Sequence, residues 1–197
     1  MMEQGTEEWF KARLGIPTAS QYSKLIGSQG KASTQAQGYI NELIAQRLTG
    51  ELPEQITNKW IERGNELEPF AREWFELETD LEVQEHGLIL HPEHKTGCSP
   101  DGLIGSESGL EIKCLAPNNH VSCIRAGKLP AAYKQQVMGS MWVTGRSSWW
   151  FVSYHPDLPK LCIEVKRDDE YIALLAAEVI KATEIIETEI SKLEKMK

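Results

Sequence analysis

The sequence predicts an α/β (α+β) fold, a central mixed sheet flanked by helices, on three observations. Apolar residues recur at helical spacing through the first half of the chain. In the second half they alternate or cluster in short runs bounded by turn residues, and near the C-terminus helical spacing returns. The chain has 197 residues, 41% hydrophobic and 25% charged, which suits one core, so residues 1–197 are expected to form a single domain.

Thr6 is placed to cap a helix over 6–14, with Glu7 and Glu8 in the first turn, where the helix dipole favours acids. Thr18 or Ser20 starts another before Gly27. Over 35–48, Ile40, Leu43, Ile44 and Leu48 mark a third helix that Gly50 stops. A long helix is predicted over 58–78, with Trp60, Leu67, Phe70, Trp74 and Phe75 supplying its apolar contacts. Pro69 either opens a new helical segment or kinks this one, because it lacks the amide hydrogen. Residues 81–91, 98–104 and 109–115 read as strands, 130–143 as a helix, and 147–154 and 161–166 as further strands. Asp168 or Asp169 opens the last helix, whose stripe is Ile172, Leu175, Val179, Ile186, Ile190 and Leu193.

Composition narrows the function. The N-terminus has neither a basic start nor an apolar stretch of signal-peptide length, and no run approaches a membrane span, so a cytoplasmic protein without membrane contact is expected. Cys98, Cys114, Cys123 and Cys162 lack the paired short spacing of a zinc ribbon or iron-sulfur site and read as reduced thiols. A net charge of −8 argues against nucleic acid only until it is located. Residues 51–85 hold eleven acidic and three basic side chains, and the remaining eighteen of each sign cancel.

SPDGLIGSESGLEIKC, residues 99–114, puts charge where a sheet should bury apolar side chains. Period-two geometry sets Glu111 and Lys113 on one face of a strand and Ile112 and Cys114 on the other. A hairpin turning over 105–109 brings Asp101 beside Glu111. Two carboxylates that close repel unless one takes a proton or a divalent cation sits between them, and all-oxygen ligands suit Mg²⁺ or Mn²⁺. Such an ion polarises a phosphoryl oxygen and acidifies water, while Lys113 orients that water or stabilises developing charge, so the patch reads as phosphodiester hydrolysis. On spacing alone, a surface hairpin with Glu111 and Lys113 solvated fits at least as well. The Ser-Pro before Asp101 and the otherwise apolar second strand favour the site.

SPDGL followed by GLEIKC resembles the metal-binding core of the PD-(D/E)XK nucleases, specifically the lambda exonuclease or YqaJ-type viral recombinases. EEWFKARLGIPTAS, RGNELEPFAREWFE and QQVMGSMWVTGRSSWWFVSY match similar blocks in the same order, over about residues 4–171. The resemblance implies a restriction-endonuclease-like core in which Asp101 and Glu111 ligate the metal, Ile112 adds its backbone carbonyl and Lys113 is the catalytic lysine. Glu68 in RGNELE would complete the acidic site through water, with the other acids of that helix solvated or paired with Arg63 and Arg72. The resemblance further implies a pocket for a 5′ phosphate made by Arg13, Ser20, Ser99 and Gln136, a donor set that binds phosphate without competing for metal. Many RecB-like relatives carry Gln followed four residues later by Tyr. Here Gln135 leads to Gly139 and Gln136 to Ser140, which favours the lambda-type branch and leaves Gln135 against Gln136 open.

The activity so implied is 5′-to-3′ exonuclease digestion of one strand of linear double-stranded DNA to mononucleotides, with Mg²⁺, or Mn²⁺ in its place, leaving a 3′ single strand for recombination. The family further implies a ring-shaped homotrimer, a single-strand annealing protein as partner, and a phage or prophage origin in a bacterial host. An endonuclease or opposite-polarity nuclease of the same fold, or a non-catalytic scaffold that binds DNA ends, are the alternatives. Trp142, Trp149 and Trp150 are expected in the core rather than stacking on bases. The five histidines read as scattered singly. Arg125, Lys128, Lys134 and Arg146 form the one basic-leaning stretch, facing DNA phosphates or solvent.

Overall fold

The computed structural model describes residues 4–51 and 59–196. Thr6 caps α1 (Glu7–Ala12), its hydroxyl accepting from the Trp9 amide at 3.3 Å. The segment opened by Thr18 is a short 3-10 helix, Ala19–Lys24, followed by α2 (Ala36–Thr49), which ends on Gly50 in the left-handed region. Helix α3 (Lys59–Thr79) runs unbroken through Pro69; its predicted start at Asn58 lies outside the described residues. It buries Ala71 and Phe75 on one stripe, which leaves Phe70 and Trp60 exposed rather than packed as expected.

Beyond α3 the chain is extended but little of it pairs. Within the strand predicted over 81–91 only β1 (Ile89–Leu90) forms, with a single bridge from Gln84 to Leu103. The strand predicted over 98–104 divides into β2 (Gly97–Cys98) and β3 (Gly102–Ile104). Pro100 lies between them and has no amide hydrogen for a ladder. After β4 (Ser108–Lys113) comes a helix that hydropathy alone did not predict, α4 (Pro117–Ala126). Its polar sequence hides the pattern, yet it carries end signals, with Pro117 in the first turn and Gly127 left-handed at the C-cap. A 3-10 turn then leads into α5 (Lys134–Thr144), followed by β5 (Ser148–Ser153), β6 (Leu161–Lys166) and α6 (Asp169–Glu194).

The main sheet has the order β3-β4-β5-β6, antiparallel at both ends and parallel between β4 and β5. A parallel pair needs a long crossover, and α4 with α5 provides it. Alternation along β4 divides the core. Leu110 and Ile112 face α3, packing with Ala71, Phe75 and Val152. On the opposite face Trp149 and Phe151 join Val137 and Met141 of α5 and the stripe of α6. Glu111 pairs in register with Phe151 and so points to the α5 side. Trp149 is fully buried and Trp150 packs edge-on to Phe75 at 5.6 Å, as expected of core residues. Among the described residues no helix is long and apolar enough to cross a membrane.

The histidines are not scattered singly. The rings of His91 and His94 lie 4.7 Å apart, and His91 packs on Trp142 at 4.6 Å. His120 is buried between the Ser153 hydroxyl (2.7 Å from Nδ1) and the Pro159 carbonyl (2.9 Å from Nε2). A carbonyl only accepts, so Nε2 carries the proton and Nδ1 accepts from Ser153, which pins α4 to the end of β5 with a neutral imidazole. His91 and His94 are three residues apart in the chain, whereas the contact of His91 with Trp142 of α5 depends on the fold.

Gly109 shows how tightly β4 and β5 fit. A Cβ there would lie 2.3 Å from the ring of Trp149, its partner across the parallel pair. That ring is fully buried, so Gly109→Ala is expected to lower the unfolding free energy by about 1–3 kcal/mol in a urea titration. An unchanged midpoint would contradict this packing.

Candidate active site

The β3–β4 hairpin pairs Gly102 with Leu110 and Ile104 with Ser108, turning through Gly105. Arg146 clamps the turn, donating to the carbonyls of Ile104 (3.3 Å), Gly105 (2.9 Å) and Ser108 (2.6 Å). Its guanidinium is therefore engaged with the hairpin turn, and the side chain is half-buried. Just past the paired residues, the Asp101 amide donates to Leu110 at 3.2 Å and the Asp101 carboxylate accepts from the Ile112 amide at 2.6 Å. The register thus sets Asp101 beside Glu111.

Glu111 is 1% exposed. Its Oε1 accepts from Gln136 Nε2 at 2.6 Å and pairs with Lys113 Nζ at 2.5 Å, whereas its buried Oε2 has no partner among the described residues. Burial pushes the Glu111 carboxyl upward and outweighs the pull of Lys113; Asp101 and Glu68 push it further. Burial likewise raises Asp101 against the opposing pull of Lys113, the Ile112 amide and Arg72. Glu68, on α3, is raised to about 7 by burial and by Asp101. Burial alone would lower Lys113, but Glu111 and Asp101 hold its ammonium well above the ordinary lysine value. The result is one retained cation amid carboxyl groups whose combined negative charge is disfavoured.

That arrangement fits a divalent cation. The donor set is all oxygen, as Mg²⁺ and Mn²⁺ require, and the orphaned Glu111 oxygen is a buried acceptor needing a positive partner. Among the described residues no three His, Cys, Asp or Glu side chains stand ready grouped around a point. Each acid is instead turned to a protein donor: Asp101 to Ile112, Glu111 to Lys113, and Glu68 to Arg72 at 2.8 Å.

A cavity of about 130 Å³ joins Asp101 and Glu111, but not Glu68, to the residues matched to a phosphate pocket. Arg13, Ser20, Ser99 and Gln136 line it together with Asp101, Glu111 and Lys113. Arg13 donates to Thr18 Oγ1 at 3.0 Å and Ser20 Oγ at 3.3 Å, while Trp9 supports its guanidinium at 3.9 Å and donates to Ser99 Oγ at 3.0 Å. Among the described residues Arg13 pairs with no carboxylate. A half-buried guanidinium ringed by hydroxyls suits a ligand that brings its own negative charge. Gln136 is the glutamine of this cavity; Gln135 is buried elsewhere, donating to the Ile26 carbonyl at 3.1 Å.

Sequence reasoning missed Trp9, Thr18 and Arg72 as parts of the site. Trp9 on α1 and Arg13 at its C-cap stand four residues apart, a spacing that places an aromatic beneath a cation. Arg72 stands four residues after Glu68, yet its contacts with Asp101 and Glu85 depend on the fold. Arg63 donates to the Leu115 carbonyl rather than to an acid of α3. Lys134 pairs with Asp168 at 3.2 Å, and Arg125 and Lys128 are exposed.

Glu68 gives a pH dependence with a defined sign. Its carboxyl titrates near 7 when folded against 4.5 when unfolded, so between these values the native chain holds a proton that the unfolded chain releases. This stabilisation is full below 4.5 and is lost as pH rises through about 7. Urea unfolding of metal-free protein should therefore show the stability of wild type relative to Glu68→Gln falling across that window. A difference that stays flat or grows would contradict the shift.

Residues 8–147 match the YqaJ-like viral recombinase domain. LHK-Exo, an alkaline exonuclease from Laribacter hongkongensis, is 41% identical over 97% of both chains with a TM-score of 0.88. Its complex with dAMP gives 42% identity, the same coverage and a TM-score of 0.87. A phage-related exonuclease from Haemophilus somnus 129PT shares the fold at 20% identity, covering 90% of this chain and 96% of its own, with a TM-score of 0.71. No curated protein matches the chain. The mixed sheet with its flanking helices is thus the PD-(D/E)XK type of exonuclease fold. The length of the family match, with the identity to LHK-Exo over almost the whole of both chains, shows that this chain belongs to the YqaJ-like viral recombinase family.

Proposed function

We propose that the chain is a Mg²⁺-dependent exonuclease that digests one strand of linear double-stranded DNA from its 5′ end to mononucleotides, leaving a 3′ single strand for recombination. The observation that carries this reading is one cavity lined both by Glu111, whose buried Oε2 has no hydrogen-bond partner among the described residues, and by Arg13, whose guanidinium has no carboxylate partner among them. A phosphodiester has negative oxygens for the second and needs a cation at the first. The dAMP bound to LHK-Exo is a deoxynucleoside monophosphate, which fits release of single nucleotides by that relative.

Asp101 and Glu111, with the Ile112 carbonyl, would hold the metal, and Glu68 would complete the site through water. The bound ion would polarise the scissile phosphoryl group and make water more acidic. Lys113, kept as an ammonium by its two acidic neighbours, donates a hydrogen bond to the attacking water or to the charge that develops on phosphate. Arg13, Ser20, Ser99 and Gln136 seat the terminal 5′ phosphate, so that the next phosphodiester lies over the acids and each cut frees one nucleotide. Residues 1–197 act as one domain, assembled as a homotrimer ring that keeps its DNA enclosed. The exposed 3′ strand passes to a single-strand annealing protein in the cytoplasm of a bacterium carrying the phage or prophage.

End-labelled duplexes with 5′-phosphate or 5′-hydroxyl ends, beside closed circles, test this reading in Mg²⁺. Mononucleotides should leave the phosphorylated linear duplex fastest, with circles intact. Asp101→Ala or Lys113→Ala should slow release by about a hundredfold or more, on the scale of losing a positioned catalytic group. Arg13→Ala should abolish the preference for phosphate. Cleaved circles would point to an endonuclease, and label lost first from the 3′ end to opposite polarity. Activity unchanged by Asp101→Ala would leave a DNA-end-binding scaffold.

A further inference from the structure

Arg72 touches three parts of the fold at once. Its side chain is 13% exposed, and each nitrogen of its guanidinium has a separate acceptor. Nη2 donates to Glu68 Oε1 at 2.8 Å, Nε donates to the Asp101 backbone carbonyl at 3.3 Å, and Nη1 pairs with Glu85 Oε1 at 2.8 Å. These acceptors belong to α3, to the residue entering the catalytic hairpin and to the strap between α3 and β1. The strap is fixed just before Glu85: Val83 donates to Glu76 Oε1 at 2.8 Å, and Gln84 bridges to Leu103 of β3.

Glu68 differs from Asp101 and Glu111 in how it reaches the site. The latter two are set by the ladder of one hairpin, whereas Glu68 arrives on a separate helix with an exposed flank, 35% accessible at its side chain. Packing of Ala71 and Phe75 fixes where α3 lies on the sheet but leaves the Glu68 carboxylate several rotamers. A planar guanidinium with its donors committed in three directions removes that freedom, and a lysine, with its single charged centre, would not.

We infer that Arg72 is a positioning residue, a fork that holds the Glu68 carboxylate at a set distance from Asp101 so that α3 and the hairpin present their acids to one divalent cation. This rests on the assignment of Asp101, Glu111 and Glu68 as a cation site. Arg72 acts through Glu68 and contacts neither metal nor DNA. Removing it should weaken cation binding in the absence of any substrate, and only while Glu68 is present. Glu85 is the outer anchor of the fork and contributes less, because its side chain is 71% exposed.

Mn²⁺ binding to the whole chain without DNA, measured by electron paramagnetic resonance, tests this through a double-mutant cycle. Arg72→Ala and Glu68→Gln should each weaken Mn²⁺ affinity about tenfold, roughly 1.4 kcal/mol. The double variant should be no weaker than Glu68→Gln alone, and Arg72→Lys should fall between wild type and Arg72→Ala. Circular dichroism confirms that each variant is folded; if Arg72→Ala is not, Arg72→Lys carries the cycle. Unchanged affinity in Arg72→Ala, additive losses in the double variant, or Arg72→Lys equal to wild type would each overturn the inference. Asp101→Ala separates this outcome from failure of the underlying assignment: it should abolish Mn²⁺ binding, and if it does not, the cation site itself is wrong.

Discussion

The hydrogen bond from the Ile112 amide to the Asp101 carboxylate ties together the two strands that bear the site's acids. It forms where β3 ends and β4 continues, so an amide without a ladder partner on that side finds an acid instead. Everything at the site follows from this junction. Glu111 and Lys113 project to the α5 face while Leu110 and Ile112 lock the strand against α3, so the acids cannot move without disturbing packed apolar side chains. A register shift of one residue would turn Glu111 into the apolar layer under α3.

That rigidity has an electrostatic cost, which the site offsets only in part. Asp101, Glu111 and Glu68 all have carboxyl groups displaced upward by burial. Lys113 and Arg72 supply positive charge, and one oxygen of Glu111 is still left over. The chain's excess acidity belongs mainly to another population: Glu62, Glu66, Glu73 and Glu78 lie exposed on α3. A negative total charge is therefore compatible with binding a polyanion, since in the cavity Arg13 and Lys113 balance Asp101 and Glu111.

Much of this was legible in the sequence because it is local. Helix caps at Thr6 and Asp168, the stripe of α6 and the alternation over β4 announced their elements. The same alternation, with a turn at the expected distance, placed Asp101 beside Glu111. The resemblance of short blocks to a known family named Arg13, Ser20, Ser99, Gln136 and Glu68, and the cavity gathers the first four with the hairpin. What escaped depends on tertiary contact. Helix α4 is polar on average and buries only His120 and Cys123, and His120 is held by hydrogen bonds to Ser153 and Pro159. The strap over 81–88 alternates like a strand but, among the described residues, meets another strand only through the bridge from Gln84 to Leu103. The sequence offers Arg72 only as a partner for acids of its own helix and Arg146 only as facing phosphates or solvent, because nothing in their neighbourhoods records the carbonyls that the fold brings to them.

The central claim is that the hairpin acids and Glu68 form one site for a divalent cation. Anomalous scattering from a crystal of the protein soaked in Mn²⁺, collected above and below the manganese edge, tests it most directly. The account predicts the strongest anomalous peak at the carboxylates of Asp101 and Glu111, on the side of the unpartnered Glu111 oxygen. A strongest peak elsewhere, with those carboxylates still turned to Ile112 and Lys113, would contradict it.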